Sequence, residues 1–137
     1  MPSNLKFLNP ETIAPPPRNG FTHVVELSGP GRMVFVAGQL GLRPDGSMAG
    51  GAGDFRAQAA QAYENLKAAL AAVGGRLDHV VKTTNFLVGI EHLPVFREVR
   101  DQNFKGTPPA STTLAVVALA RPDALFEVEA VALLPPR

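Results

Sequence analysis

The chain has 137 residues, of which 45% are hydrophobic, and its 13 basic and 12 acidic side chains leave a net charge of +1. This length predicts one domain over residues 1–137, and the balanced charge gives no electrostatic reason to expect a nucleic-acid partner. Cysteine is absent, which excludes disulfides and Cys-ligated zinc. No signal peptide or membrane-spanning stretch is recognisable, so we expect a cytoplasmic protein without a membrane partner.

The N-terminal part of the chain is rich in proline. It is predicted to be an irregular arm over residues 1–20, with at most a short edge strand at Lys6–Leu8. Two strands are predicted next, at Thr22–Leu27 and Met33–Gln39. The segment between them, Ser28–Arg32, reads SGPGR and is typical of a turn. These two strands are therefore predicted to form a β-hairpin.

A glycine-rich loop is predicted to precede the first helix. Residues 43–53 contain four glycines, which favours a flexible connector. The following segment, Asp54–Val73, has its apolar residues on one face of a 3.6-residue period and is predicted to be a helix. Those apolar residues are Phe55, Ala59, Ala62, Tyr63, Leu66, Ala69, Leu70 and Val73. Asp54 is suited to cap the start of this helix, and Gly74 and Gly75 are suited to end it.

The rest of the chain is predicted to contain three strands and a second helix. A strand at Val80–Val88 is followed by a helix at Glu91–Phe104, and strands at Thr112–Leu119 and Leu125–Leu134 are joined by a turn at Ala120–Ala124. The order is β-β-β-α-β-α-β-β. It predicts an α+β fold in which two helices cover one face of a mixed sheet. The other face must then meet water or another subunit.

The two faces of the last predicted strand differ in chemistry. One face carries only Phe, Val and Ala, which suits packing under helices, whereas the other mixes Leu and Val with Glu127 and Glu129. The mixed face predicts a subunit interface with a polar pocket at its margin. Two carboxylates roughly 7 Å apart along a strand have the spacing of an acid/base pair. Solvated or ion-paired surface acids have the same spacing, and spacing alone leaves both interpretations open.

Other kinds of site receive no support from the sequence. His23, His79 and His92 do not have the spacing of metal ligands, so no metal site is predicted. A serine triad is also not indicated, because no Gly-x-Ser-x-Gly motif occurs. The aromatic residues are predicted to be core rather than platforms for stacked bases.

Several short motifs, in a fixed order from Gly20 to Leu134, resemble those of the Rid family, also called YjgF-type proteins. The motifs are Gly20–His23, Val36–Gly41, Gln58 with Asn65 and Leu66, Val80–Thr84, Pro109–Ala110 and Phe126–Ala130. The resemblance implies a chorismate-mutase-like fold assembled as a homotrimer, with the sheets forming an inner barrel. It also implies three clefts between subunits that bind a small molecule and need no metal or organic cofactor. In deaminating members an arginine grips the substrate carboxylate and a glutamate activates water for hydrolysis of a 2-imino or 2-enamino acid.

The resemblance implies site residues one position at a time. Glu127 matches the water-handling glutamate, and Gly38 matches the glycine whose backbone approaches the ligand. Phe21 stands where a Tyr is usual and Ala37 where a Ser is usual, so two polar groups are lost. Ser111 replaces the arginine of the family's P-A-R motif. A hydroxyl there supplies one neutral hydrogen bond in place of two charge-assisted ones.

Arg97 on the second helix is the candidate that could supply a guanidinium from another direction, and a solvated helix residue is the alternative interpretation. Arg43 is a weaker candidate. Two functions follow from these residues. One is hydrolysis of an imine or enamine, with Glu127 as the water-activating group and an altered substrate. The other is a non-catalytic trimeric protein that binds or senses a small molecule. A ribonuclease function is not supported by the near-neutral charge.

Overall fold

The computed structural model describes residues 4–137, so Pro2 of the predicted arm lies outside the described part. The arm contains a strand, β1 (Leu5–Leu8), which pairs antiparallel with β2 (Val24–Leu27). The edge strand predicted at Lys6–Leu8 is therefore confirmed. Between the two strands the chain is irregular apart from a short 3-10 turn at Pro17–Asn19.

A four-stranded sheet forms the centre of the fold. Its strands are β3 (Arg32–Leu40), β4 (Val80–Leu87), β5 (Ala110–Ala115) and β6 (Phe126–Leu134). Their order across the sheet is β3-β6-β4-β5, and β6 pairs antiparallel with both of its neighbours while β4 and β5 are parallel. The sheet is mixed, as predicted.

Both predicted helices are present. The first, α1 (Phe55–Ala71), begins where the Asp54 carboxylate accepts a hydrogen bond from Ala57 N at 3.0 Å, and Gly74 follows it at φ +79°. The second, α2 (Leu93–Asn103), follows a 3-10 turn at Ile90–His92. The apolar stripe predicted for α1 is confirmed, because its side chains are buried in or packed against one core.

Two predicted connections are wrong. The strand β2 pairs with β1 instead of forming a hairpin with β3, because Leu5–Leu8 supplies its partner, and β3 pairs with β6. The turn at Ala120–Ala124 does not join neighbouring strands either, since β4 lies between β5 and β6. The strand β5 ends at Ala115, and Val117, predicted to be in the strand, is fully exposed.

The glycine-rich segment 43–53 is an ordered loop and not the flexible connector predicted. Met48 and Ala49 are buried, and Ala49 N donates to Gly41 O at 2.9 Å. Gln58, a fully buried residue of α1, donates from Nε2 to Gly51 O at 3.2 Å. Backbone hydrogen bonds and one helix side chain therefore hold a loop whose composition alone favours disorder.

The helices cover one face of the four-stranded sheet, and the other face is open. On β6 the side chains of Phe126, Val128, Ala130 and Ala132 are buried beneath the helices, as predicted. The open face presents Phe35, which is 73% exposed, and Met33, which is 54% exposed. The helices therefore leave two large apolar side chains uncovered on this face. None of the helices in the described part of the chain is long and apolar enough to cross a membrane.

Candidate functional site

Glu127 lies on the open face of the sheet, directly opposite Phe86 of β4. Its neighbour on the other side is a bulge in β3, where three steps from Val36 to Gln39 match two steps from Ala130 to Val128. Gly38 lies in this bulge. A Cβ on Gly38 would overlap Glu127 Oε2 and would lie 2.6 Å from Glu127 Cδ. Glycine is therefore required for the carboxyl group to pack against the backbone of β3.

The electrostatic surroundings of Glu127 favour its protonated form. Burial and the nearby Glu129 carboxylate raise the pKa of Glu127 above its ordinary value. Lys82 of β4, on the same face, donates from Nζ to Thr112 Oγ1 at 2.8 Å. Burial lowers the pKa of Lys82, and Glu129 opposes that change. A carboxyl with a raised pKa on an open face is suited to take up and release a proton.

We expect Gly38→Ala to move the Glu127 carboxyl away from β3 and into solvent. Because burial is the main cause of the raised pKa, the pKa of Glu127 should fall toward its ordinary value in the variant. A ¹³C NMR titration of the Glu127 carboxyl measures this. Gly53→Ala is the matched control, because a Cβ there meets nothing within 4 Å. An unchanged pKa in Gly38→Ala would contradict the close packing.

A cavity of about 240 Å³ lies on the opposite side of the sheet, between α2, the edge strand β5 and the Pro17–Phe21 segment. Part of its wall is apolar and is made of Phe21, Ile90, Leu93 and Phe96. The polar part is made of Arg97, Arg100, Ser111 and Thr113. Arg18 and Asn19, next to this wall, have φ of 54° and 52°, a strained conformation that is common near functional sites.

Ser111 is held by two buried polar side chains of β4. Its Oγ accepts from Thr83 Oγ1 at 3.0 Å and from Asn85 Nδ2 at 2.9 Å. Asn85 is 1% exposed, and its Nδ2 also lies 3.3 Å from the acceptor Thr112 O. The side chain of Ser111 is therefore fixed toward the helix side of the sheet, and not toward the face that carries Glu127.

The six site residues expected from the resemblance fall into two groups. Phe21, Arg97 and Ser111 line the cavity, whereas Glu127 and Gly38 are in contact on the open face and Ala37 is exposed beside them. Ser111 pairs with Thr83 and Glu127 with Phe86. That places Ser111 and Glu127 roughly 10 Å apart along the strands and roughly 10 Å apart across them. One chain does not bring the two groups together.

Sequence reasoning missed Arg100, which lines the cavity one helical turn after Arg97. Arg100 could have been predicted from Arg97, because residues three apart on a helix share a face. Arg43, the weaker candidate, is instead engaged with Ser47 Oγ and Met48 O, both at 3.2 Å, within its own loop.

The histidines take part in local contacts. His79 Nδ1 accepts from Arg76 N at 3.0 Å, His92 stacks on Phe55 at 4.5 Å between ring centroids, and the His23 ring contacts Ala14 O. Within residues 4–137 no group of three or more His, Cys, Asp or Glu could hold a metal ion.

The chain matches known proteins over most of its length. A family model described as Endoribonuclease L-PSP matches residues 11–134. The protein DfrA of Myxococcus xanthus is 42% identical over 102 residues, which are 74% of this chain and 76% of that protein. A 2-iminobutanoate/2-iminopropanoate deaminase of Dermatophagoides farinae is 29% identical over 121 residues, 87% of this chain and 89% of that protein. Among solved structures, the Rid-family protein YyfB from Yersinia pestis superposes with a TM-score of 0.85 at 34% identity, covering 96% of this chain and 99% of that one.

Proposed function

Because the chain belongs to the Endoribonuclease L-PSP family, which comprises the YjgF, Rid and RutC proteins, we propose that it is a homotrimer that hydrolyses a small imine or enamine in clefts between subunits. The cavity of one subunit would face Glu127 of the next. The substrate is held differently from that of relatives with an arginine at position 111, since Ser111 carries no charge with which to bind a carboxylate.

The observation that carries this proposal is the division of the expected site over two faces of one chain. The carboxyl of Glu127 is packed closely against Gly38, and Ser111 is fixed by hydrogen bonds in the wall of the cavity. Neither half alone could both bind a substrate and turn it over. A second copy supplies the missing half in a cyclic assembly, where each subunit presents two different surfaces to its neighbours. Association with a second subunit would bury the exposed apolar side chains of Phe35 and Met33 on the open face.

Glu127 would act on water. Its carboxylate takes a proton as the water oxygen adds to the carbon of the C=N bond, and it passes that proton to the nitrogen, which gives a carbinolamine. The carboxylate then takes the hydroxyl proton and delivers it to the amino nitrogen as the C–N bond breaks, which gives the carbonyl compound and ammonia. The raised pKa of Glu127 helps both transfers, because it brings the group closer to the pH at which the protein works.

The description of the family contains the name endoribonuclease, but the charge and the histidines of this chain do not favour cleavage of RNA. Its net charge is +1, and its three histidines lie in separate local contacts. We therefore propose a small-molecule substrate and no nucleic-acid partner. The exposure of an uncharged Ser111 to the cavity favours a second candidate, a trimer that binds its ligand without reaction.

We expect two inactive variants to restore activity when they are co-expressed in equal amounts. Glu127→Gln removes the base, and Thr113→Trp fills the cavity. If each site combines two subunits of a cyclic trimer, about a quarter of all the sites in the randomly assembled trimers contain both intact halves. The readout is ammonia release from a 2-imino acid generated by an L-amino-acid oxidase, and sedimentation should show three chains per particle.

No recovery in the mixed protein would place the whole site in one chain and overturn the shared cleft, and a monomer in sedimentation would do the same. A trimer that accelerates no imine hydrolysis would leave the non-catalytic candidate.

A further inference from the structure

We infer that the cavity beneath α2 binds the oxyanion end of a small molecule with an apolar body, through the guanidinium groups of Arg97 and Arg100, which both line it. This inference rests on the proposed function only in taking the cavity as one half of the cleft. It specifies the class of ligand: an anion whose charge is met by the helix, because the strand position Ser111 has none.

The two arginines have donors to spare. Among residues 4–137, no side chain or backbone acceptor is hydrogen-bonded to Arg97, although it lines the cavity. Arg100 has one charged partner, an Nε–Asp101 Oδ1 contact of 2.9 Å, which leaves the donors on Nη1 and Nη2 for another acceptor. Like charges three residues apart on a helix repel each other. An anion between them removes that repulsion and accepts the unused hydrogen bonds.

Arg100 is held in position by its surroundings. Its side chain is only 14% exposed, and its guanidinium carbon lies 5.6 Å from the centroid of the Phe96 ring. Gly20 makes room for it, because a Cβ on Gly20 would lie 2.8 Å from Arg100 Nη2. Asp101 meets only the Nε of this largely buried cation, so an acceptor at Nη1 and Nη2 would complete its hydrogen bonds.

Ser111 adds a donor to the same wall. Its oxygen already accepts from Thr83 Oγ1 and Asn85 Nδ2. A hydroxyl can donate as well as accept, so Ser111 gives an anion in the cavity a further polar contact. The small hydroxyl also leaves the space that a longer side chain at position 111 would fill.

The rest of the cavity wall determines which body the ligand has beside its oxyanion. Phe21, Leu93 and Phe96 give it an apolar surface, and no acidic residue of the described chain lines it. A carboxylate or a phosphate attached to an aliphatic or aromatic group fits both parts. A cation or an uncharged polar molecule fits neither.

The test is direct binding, measured by isothermal titration with four probes: phenylacetate, phenyl phosphate, the neutral amide phenylacetamide, and acetate. We expect phenylacetate or phenyl phosphate to bind at least about tenfold more tightly than phenylacetamide, because charge-assisted hydrogen bonds are lost in the amide. Acetate should also bind more weakly, since it lacks the apolar body. Whichever of the two anions binds more tightly identifies the oxyanion as carboxylate or phosphate.

The variants locate the site. Arg97→Gln and Arg100→Gln should each weaken binding of the preferred anion by about tenfold or more, whereas Arg76→Gln, which changes an arginine that is 69% exposed and paired with Asp78, should bind as the wild type does. If Arg100→Gln does not fold, Arg100→Lys keeps the apolar stem and the charge but loses the two-nitrogen geometry, and it should still bind more weakly.

Equal affinity for phenylacetate and phenylacetamide, or wild-type affinity in both arginine variants, would overturn the inference. The test is independent of turnover. Anion binding through both arginines without ammonia release from any imino acid would retain this site and overturn the proposed reaction. Imine hydrolysis that is unaffected by Arg97→Gln and Arg100→Gln would retain the proposed reaction and overturn this anion site.

Discussion

Replacing Gln58 by leucine should lower the free energy of unfolding by about 3 kcal/mol, because several buried polar groups lose their partner at once. Gln58 is fully buried in α1. Its Nε2 donates to Gly51 O at 3.2 Å and to Asp123 O at 3.0 Å, and its Oε1 accepts from Leu125 N at 2.8 Å. One side chain thus fixes the glycine-rich loop and the entry into β6.

Leucine has a similar volume and makes none of these bonds, so the backbone groups of Gly51, Asp123 and Leu125 are left without their partner. The loss should lower the melting temperature by about 10 °C. Thermal melts must be compared at one protein concentration, since subunit association contributes to stability.

Gln61→Leu is the matched control for this prediction. Gln61 lies one turn further along the same helix and is only partly buried, and its side chain donates to Asn65 Oδ1 at 2.9 Å. We expect less than about 1 kcal/mol of destabilisation there. If Gln58→Leu melted like Gln61→Leu, the loop would be held by its own backbone hydrogen bonds and not by Gln58.

Glu127→Gln should reduce the turnover of the proposed imine hydrolysis at least about a hundredfold, because the amide cannot accept a proton from water. The same substitution should stabilise the fold at neutral pH. Burial and Glu129 disfavour the ionised form of Glu127, so the carboxylate is a cost to the folded state wherever it is ionised. Loss of activity together with a gain in stability is the combined result that we expect.

The pH dependence of that stability follows from the direction of the pKa shift. A carboxyl whose pKa is raised by folding binds its proton more tightly in the folded chain. As the pH falls through the raised pKa of Glu127, the carboxylate of the folded wild type is protonated and its cost to stability is lost. The advantage of Glu127→Gln should therefore be present at neutral pH and shrink as the pH falls toward the ordinary pKa of glutamate. A constant difference across this range would show that the gain has another cause.

Glu129→Gln tests the electrostatic part of this account. Glu129 is exposed on the same strand and face, and its charge raises the pKa of Glu127. Its removal should keep the base and move the acid limb of the pH–rate profile to lower pH, because Glu127 then ionises more easily. The limb of the wild type should lie above the ordinary glutamate value. A limb that does not move would mean that burial alone sets the pKa.

Much of the fold could be predicted because its local signals agree with its tertiary contacts. The helix α1 follows directly from its apolar period and its Asp54 cap, and the two faces of β6 follow from alternation. The hairpin prediction failed because turn chemistry at Ser28–Arg32 says where the chain reverses, but not which strand pairs with which. That choice depends on partners far away in sequence, such as β6 for β3.

The site was only partly predictable for a related reason. Motif positions identify Glu127, Gly38 and Ser111, but the face to which each side chain points depends on the strand register. The division of the site over two sides of the sheet was therefore hidden in the sequence. Arg100 and the buried pair Thr83 and Asn85 belong to no motif that we used, and they become visible only when the cavity wall and the bonds to Ser111 are seen together.

The central position of β6 has a consequence for how the protein is made. Of the strands described, β6 is the last to leave the ribosome, yet it is the one that joins β3 to β4. Until it is synthesised, both of those strands lack their pairing with β6 and keep an unpaired edge. Unpaired edges with apolar side chains are sites of aggregation. The nascent chain should therefore depend on chaperones until β6 emerges, and should then fold slowly because its pairings are long-range.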